Sequence, residues 1–160
     1  MMNDWEARVK AFWKSADVGK PDATFAEMKR LVEELAEADP NGLFELASVH
    51  DFLGLAQSAV PLYEQSLRAG LAGLKREKAV IQLASSLRNL GRAAEAMDLL
   101  EQTAFGAETS LAAKAFLALA QLDSDSPRKA LATALLNFYP EDGLYARSIR
   151  TYAQELARKG

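Results

Sequence analysis

The stretch "LASVHDFLGLAQSAVPLYEQ" (residues 46–65) returns as "LASSLRNLGRAAEAMDLLEQ" (residues 83–102), offset by 37 residues and identical at ten of twenty positions. Each copy reads as a helix, a turn at Gly54 or Gly91, and a second helix, because glycine ends a helix in the left-handed conformation at little steric cost. The small residues Ala47 and Ala84 on the first helix, and Ala59 and Ala96 on the second, allow two helices to approach closely. Tyr63 and Leu100, four residues beyond the second alanine, fill the space that the alanines leave.

Outward from this pair, helical periodicity continues in both directions. Trp5, Val9 and Phe12 form one stripe, Met28, Leu31, Val32 and Leu35 another, and Tyr145, Ile149, Tyr152 and Leu156 a third. Alternating β-branched runs between tight turns are absent, so strands are not expected. Thr24 and Glu27 have capping-box spacing, and Asp39-Pro40 and Ser126-Pro127 each place a capping side chain before a proline. These signals predict an all-α fold of about nine helices, over 3–17, 24–38, 42–53, 57–69, 75–90, 93–105, 110–122, 127–138 and 143–158. Within the seventh, "AFLALAQL" (115–122) reads as a buried helix, since no run reaches membrane-spanning length.

The 160 residues are 49% hydrophobic and 26% charged, a globular composition sufficient for one domain with a real core. A net charge of −3 argues against a nucleic-acid partner, which calls for a basic footprint. The absence of cysteine excludes disulfides, thiol catalysis and thiolate-held zinc. Charge interrupts "MMNDWEARVKAFWKS" every few residues, unlike a secretory leader, and the expected location is cytoplasmic with no membrane partner.

The duplicated unit resembles the tetratricopeptide repeat, whose signature places a small residue on helix A, Gly at the turn, then Ala, a large apolar residue and Ala on helix B. Ala47, Gly54, Ala59, Tyr63 and Ser66 follow it in one copy, and Ala84, Gly91, Ala96, Leu100 and Thr103 in the other, with Ser66 and Thr103 in place of the final alanine. A third, worn copy keeps Ala118, Ala130 and Pro140 but replaces the turn glycine within "DSDSPRKA". The family repeats every 34 residues, so the excess of three falls in "GLAGLK" (70–75). The resemblance implies tandem antiparallel helix pairs in a right-handed superhelix. It divides a single domain into an N-terminal helical pair (1–39), three repeats (40–140) and a C-terminal capping helix (141–160). The phrase "YEQSLRAGLAGLKREKAVIQLASSLRNLGR" (63–92) also resembles a small bacterial single-domain subgroup, which implies a homodimer.

The same resemblance implies a non-catalytic scaffold that binds a peptide or helix on the concave face lined by helices A. The expected residues are Phe44, Ser48 and Asp51 from the first copy, Lys78, Ile81, Ser85, Arg88 and Asn89 from the second, and Ala115 and Leu119 from the third. The clamp with which some members grip chaperone carboxyl termini falls on Phe44, Ser48, Gln82, Ala112 and Phe116, which lack its cations and amides. No cofactor or metal is expected.

Two other function classes stay open. His50, the only histidine, could serve an interhelical pocket with Asp51 or Arg88 as a small-ligand binder or enzyme, although Ser48, His50 and Asp51 point in successive helical directions and do not converge. Alternatively, the chain is a structural subunit of a larger complex. "DSDSPRKA" begins like a calcium loop but has Arg128 and Ala134 where such a loop needs Gly and Glu. Lys75, Arg76 and Lys78 read as a solvated face, Glu33, Glu34, Glu37 and Asp39 as exposed helix carboxylates, and Phe12 and Trp13 as neighbours on different faces.

Overall fold

The computed structural model describes residues 4–159, and among them every regular element is a helix. The order is α1 (Asp4–Ser15), α2 (Pro21–Val32), α3 (Pro40–Phe52), α4 (Ala56–Arg68), α5 (Gly73–Asn89), α6 (Ala93–Glu101), α7 (Ser110–Asp123), α8 (Pro127–Phe138) and α9 (Ala146–Arg158). The chain divides into two compact units, Met1–Ala79 and Val80–Gly160, with the boundary inside α5.

The repeated turn has one geometry. Gly54 and Gly91 adopt φ of 76° and 75°. The N–H of Leu55 donates to the carbonyl of His50 at 2.8 Å and that of Gly54 to Asp51 at 2.9 Å; Arg92 to Leu87 and Gly91 to Arg88 repeat the pattern at 2.9 Å. These paired bonds satisfy helix carbonyls that would otherwise lack donors, and they turn the chain into the next helix. In the third copy the position belongs to Asp125, with φ of 56°, and Ser126 donates to Gln121 at 2.9 Å. The missing glycine is thus replaced by aspartate, one of the few side chains that enter the left-handed region readily.

In the N-terminal unit, Ala47, Ala59 and Tyr63 are completely buried where α3 and α4 meet. Ser66, standing where the repeat pattern has alanine, is also buried, and its hydroxyl donates to the Pro40 carbonyl at 2.6 Å, tying the end of α4 to the start of α3. A second cluster joins α1, α2 and α3 through Trp5, Val9, Phe12, Met28 and Val49. Trp5 adds a hydrogen bond from Nε1 to the Leu31 carbonyl at 2.7 Å. Phe12 and Trp13 both pack inward, with rings edge to face at 5.1 Å.

Both ends of α2 differ from the sequence expectation. The predicted start of α1 at residue 3 lies outside the described residues. Asp39 caps α3 as expected, accepting from the N–H groups of Asn41 (2.8 Å) and Gly42 (3.2 Å). The Thr24–Glu27 capping box does not form, because Pro21 already opens α2, with Lys20 at φ −129°, ψ 60° before it. Thr24 is instead buried within that helix and donates to the Asp17 carbonyl at 2.9 Å. At its other end α2 stops at Val32 rather than at residue 38, and the chain turns through Ala38 at φ 57°.

In the C-terminal unit, Leu83, Ala84, Ala96 and Leu100 are buried as the pattern requires. The end of α6 comes at Glu101, four residues early, where the Thr103 hydroxyl takes the Leu99 carbonyl at 2.8 Å. Ser126 makes no side-chain cap for α8. The start of α9 is delayed to Ala146 by a turn in which the Tyr139 hydroxyl donates to the Leu144 carbonyl at 2.6 Å. A further difference concerns burial. On α7 Ala113, Leu117, Ala120 and Gln121 are buried while Leu119 and Leu122 are exposed, so the segment read as a buried helix (115–122) is amphipathic.

A Cβ at Gly54 or Gly91 would meet nothing within 4 Å, so substitution there carries backbone strain alone. Gly91→Ala should cost about 1–2 kcal/mol, while Asp125→Gly should stabilise by up to about 1 kcal/mol, read as opposite shifts of the chemical-denaturation midpoint. Ala59→Leu or Ala96→Leu, at fully buried sites, should each cost about 1–3 kcal/mol by overpacking, lowering the melting temperature.

Candidate functional site

The residues expected to form a binding face fall in both units, and each unit presents its own set. In the N-terminal unit, Phe44, Ser48 and Asp51 are half-buried along α3. The Phe44 and Tyr63 ring centroids lie 6.1 Å apart. The Ser48 hydroxyl donates to the Phe44 carbonyl at 2.8 Å and accepts from the Tyr63 hydroxyl at 3.4 Å. These groups are brought together as a side-chain lining of the α3–α4 pair. Lys78 is exposed on the part of α5 that belongs to this unit.

In the C-terminal unit, Ile81 is only 7% exposed and offers little surface, whereas Ser85 and Arg88 are half-buried and Asn89 is exposed. Arg88 reaches Asp123 at the end of α7 through both Nε (2.8 Å) and Nη2 (2.7 Å). Leu119 lies four residues before Asp123, on the same side of α7, and is 42% exposed; Leu122 is 53% exposed. Ala115 is half-buried on that side as well. A partly open apolar strip therefore ends at a two-point ion pair that joins the helices opening two successive repeats.

Sequence reasoning missed a polar cluster in the N-terminal unit. Glu45 on α3 is 4% exposed and accepts from Trp13 Nε1 at 2.8 Å. Burial pushes its carboxyl above the ordinary carboxylate range, against the opposing pull of the Trp13 hydrogen bond and the Lys75 charge. Lys75 does not belong to a solvated face. Its Nζ lies 5.4 Å above the Trp5 ring, 3.2 Å from Asn41 Oδ1 and 3.5 Å from Glu6 Oε1. Trp13 also packs edge to face on Phe52 at 5.8 Å. The long side chains of α1 thus cover part of α3, although α1 itself carries no repeat pattern. The counterpart of Glu45 one repeat later is Gln82, which is exposed, whereas Glu45 is buried and bonded to Trp13 of α1.

His50 packs against Phe25 with centroids 4.9 Å apart, and its Nδ1 is buried without a hydrogen-bond partner. Burial lowers its pKa, which keeps the ring neutral at neutral pH. The carboxylates of residues 33–39 are not uniform either. Glu34 forms a two-point pair with Arg8, which holds its carboxyl below the usual range, and Asp39 is the helix cap. Among the described residues no group of three His, Cys, Asp or Glu side chains could hold a metal ion, and no helix is long and apolar enough to cross a membrane. A cleft of about 410 Å³ between α6 and α7 is lined by Leu100, Thr103, Phe105 and Lys114, and one of about 420 Å³ between α1 and α2 by Arg8, Phe12, Arg30 and Glu34. Neither contains His50.

A raised carboxyl means that the folded state holds its proton to higher pH than the unfolded state does. Stability contributed at Glu45 is therefore complete below the ordinary carboxylate range and falls as pH rises through the raised folded value. Glu45→Gln, which retains an acceptor for Trp13, should flatten that decline and raise stability at neutral pH. Trp13→Phe should lower it by about 1–3 kcal/mol, because the buried carboxylate loses its donor. Urea unfolding of the three proteins between pH 4 and pH 8 checks both.

Comparison with known proteins agrees with this architecture. A family model described as Tetratrico peptide repeat matches residues 40–156. A solved structure titled "MamA RS-1 ArsTM double mutant" is similar with a TM-score of 0.61 and 19% identity, covering 99% of this chain and 98% of that one, a likeness of fold. No curated relative matches the chain.

Proposed function

The chain belongs to the tetratricopeptide repeat family, and from that premise we propose that it is a non-catalytic scaffold for protein–protein interaction. It takes a peptide or helix on the faces of its A helices and self-associates as a homodimer, in a cytoplasmic setting. One observation carries this reading: α7 leaves Leu119 and Leu122 open beside the Arg88–Asp123 pair. Exposed apolar anchors flanked by fixed charge suit an amphipathic segment, which gains affinity from buried apolar area and register from the charges. In the N-terminal unit the corresponding residues are Phe44, Ser48, Asp51 and Lys78, and in the C-terminal unit Ser85, Arg88 and Asn89; Ile81, buried in the core, supports that face from beneath.

The alternative of chemistry at His50 is disfavoured by its surroundings. A neutral imidazole packed on Phe25, and outside the α6–α7 and α1–α2 clefts, is placed for packing rather than for proton transfer. Function as a fixed subunit of a larger complex would use the same surfaces but would show constant stoichiometry on co-purification.

Selection from a displayed peptide library tests the binding reading. Wild-type protein should enrich peptides with apolar residues at helical spacing, and Arg88→Glu and Leu119→Ser should each weaken the selected peptides by about tenfold with unchanged melting temperature. Enrichment of nothing, or equal binding by both variants, counts against the A-helix faces.

A further inference from the structure

Two departures from the repeat pattern meet at the cleft between α6 and α7. The first is the length of the second helix. Helix α4 runs thirteen residues, to Arg68, and the loop after it buries Leu71 at 4% exposure. Helix α6 runs nine residues and stops at Glu101, so residues 102–109 cross to α7 as turns and irregular backbone. Phe105, the aromatic of that crossing, stays half-buried instead of closing the gap. The space left is about 410 Å³, within the range of about 300–1,000 Å³ usual for small-molecule sites.

The second departure is Lys114. Its column in the repeat holds Leu43 in the first copy and Val80, 1% exposed, in the second. The third copy puts a lysine there, half-buried and lining the cleft. Ser110 lies one turn before it on the same side of α7 and lines the cleft as well. Across from them, at the end of α6, stands Glu101. Among the described residues, neither the Lys114 nor the Glu101 side chain has an ion-pair or hydrogen-bond partner, in each other or in a third group. A charged group turned into a half-enclosed cleft gives up hydration, which a partner of opposite charge restores. Two opposite charges held apart beside an apolar wall of Leu100, Phe105 and Leu117 complement a molecule that carries both signs and an apolar body.

We propose that this cleft binds a small zwitterion with an apolar side chain, an apolar amino acid. Lys114 Nζ and the Ser110 hydroxyl donate to its carboxylate, Glu101 accepts from its ammonium group, and Leu100, Phe105 and Leu117 receive its side chain. None of the residues assigned to the A-helix faces lines this cleft, so the site is additional to the peptide surface and stands without it.

Amide NMR of the isotope-labelled protein, titrated with L-leucine and with L-phenylalanine, tests the site. At least one of them should give saturable shifts confined to residues 100–117. Its N-acetyl derivative, which lacks the ammonium, and its amide, which lacks the carboxylate, should each bind about tenfold more weakly. Glu101→Gln should weaken the free amino acid about tenfold and leave the N-acetyl derivative unchanged, and Lys114→Met should weaken it equally and leave the amide unchanged. Lys114→Met should also raise the melting temperature, because it returns an apolar side chain to the column, which separates loss of binding from loss of fold. Shifts that fail to saturate at millimolar concentration, or that fall outside the cleft, overturn the site. Derivatives that bind as tightly as the free amino acid overturn the zwitterion. Unchanged affinity in both folded variants overturns the roles of Lys114 and Glu101.

Discussion

Each of the three repeats depends on one residue that leaves its first helix at positive φ. Gly54, Gly91 and Asp125 occupy that place, and the long hydrogen bond across the turn reaches back to His50, Leu87 and Gln121 in the three copies. With the turn fixed, the following helix returns alongside the first, and the small side chains of Ala47 and Ala59, and of Ala84 and Ala96, are fully buried on the paired helices. Larger side chains at these positions would separate the helices and leave Tyr63 or Leu100 without a cavity to fill. The constraint is local in sequence, which is why a chain of this kind can repeat it while changing almost everything on the outer surface.

The parts of the fold governed by that constraint were readable from residues alone. The repeat pairs, the Asp39 cap and the positions of α7 and α8 all follow from patterns with a direct steric or hydrogen-bonding cause. The errors arose where two signals competed for one boundary. At the start of α2, Pro21 and Thr24 could each open the helix, and the proline prevailed because its fixed φ and absent N–H suit the first turn. At its end, the apolar row ran on through Leu35, yet the chain left the helix after Val32, and Leu35 reached the core from a turn. Periodicity records which residues are inside and is silent on the backbone that carries them there.

The candidate surfaces were legible to a smaller degree. Repeat alignment identifies which positions look outward, but it treats each repeat as equivalent to its neighbours. Glu45 and Gln82 are equivalent by that rule, yet Glu45 is buried and bonded to Trp13 of α1 while Gln82 is exposed. Lys75 likewise becomes a fixed contact through Trp5, Glu6 and Asn41. Both effects require knowing that a helix without the repeat pattern packs like one with it. Such a buried acid is costly to ionise, and its retention beside a lysine makes the α1–α3 junction sensitive to proton concentration in a way the stacked alanines are not.

Positions that vary between copies carry the functional argument further than the identities do. The identities Leu83, Ala84 and Ala96, together with the matched pair Tyr63 and Leu100, are consumed by packing. At the place of His50 the copies have Leu87 and Gln121, and each is handled differently: stacking on Phe25, plain burial, and a hydrogen bond in which the Thr133 hydroxyl donates to Gln121 Oε1 at 2.7 Å. That column is internal, so its variation tunes stability. At the place of Asp51 the copies have Arg88 and Leu122, which face outward and differ in charge and polarity. Each repeat therefore presents a different chemistry from the same backbone position. Specificity in such a scaffold resides in how those outward choices are combined.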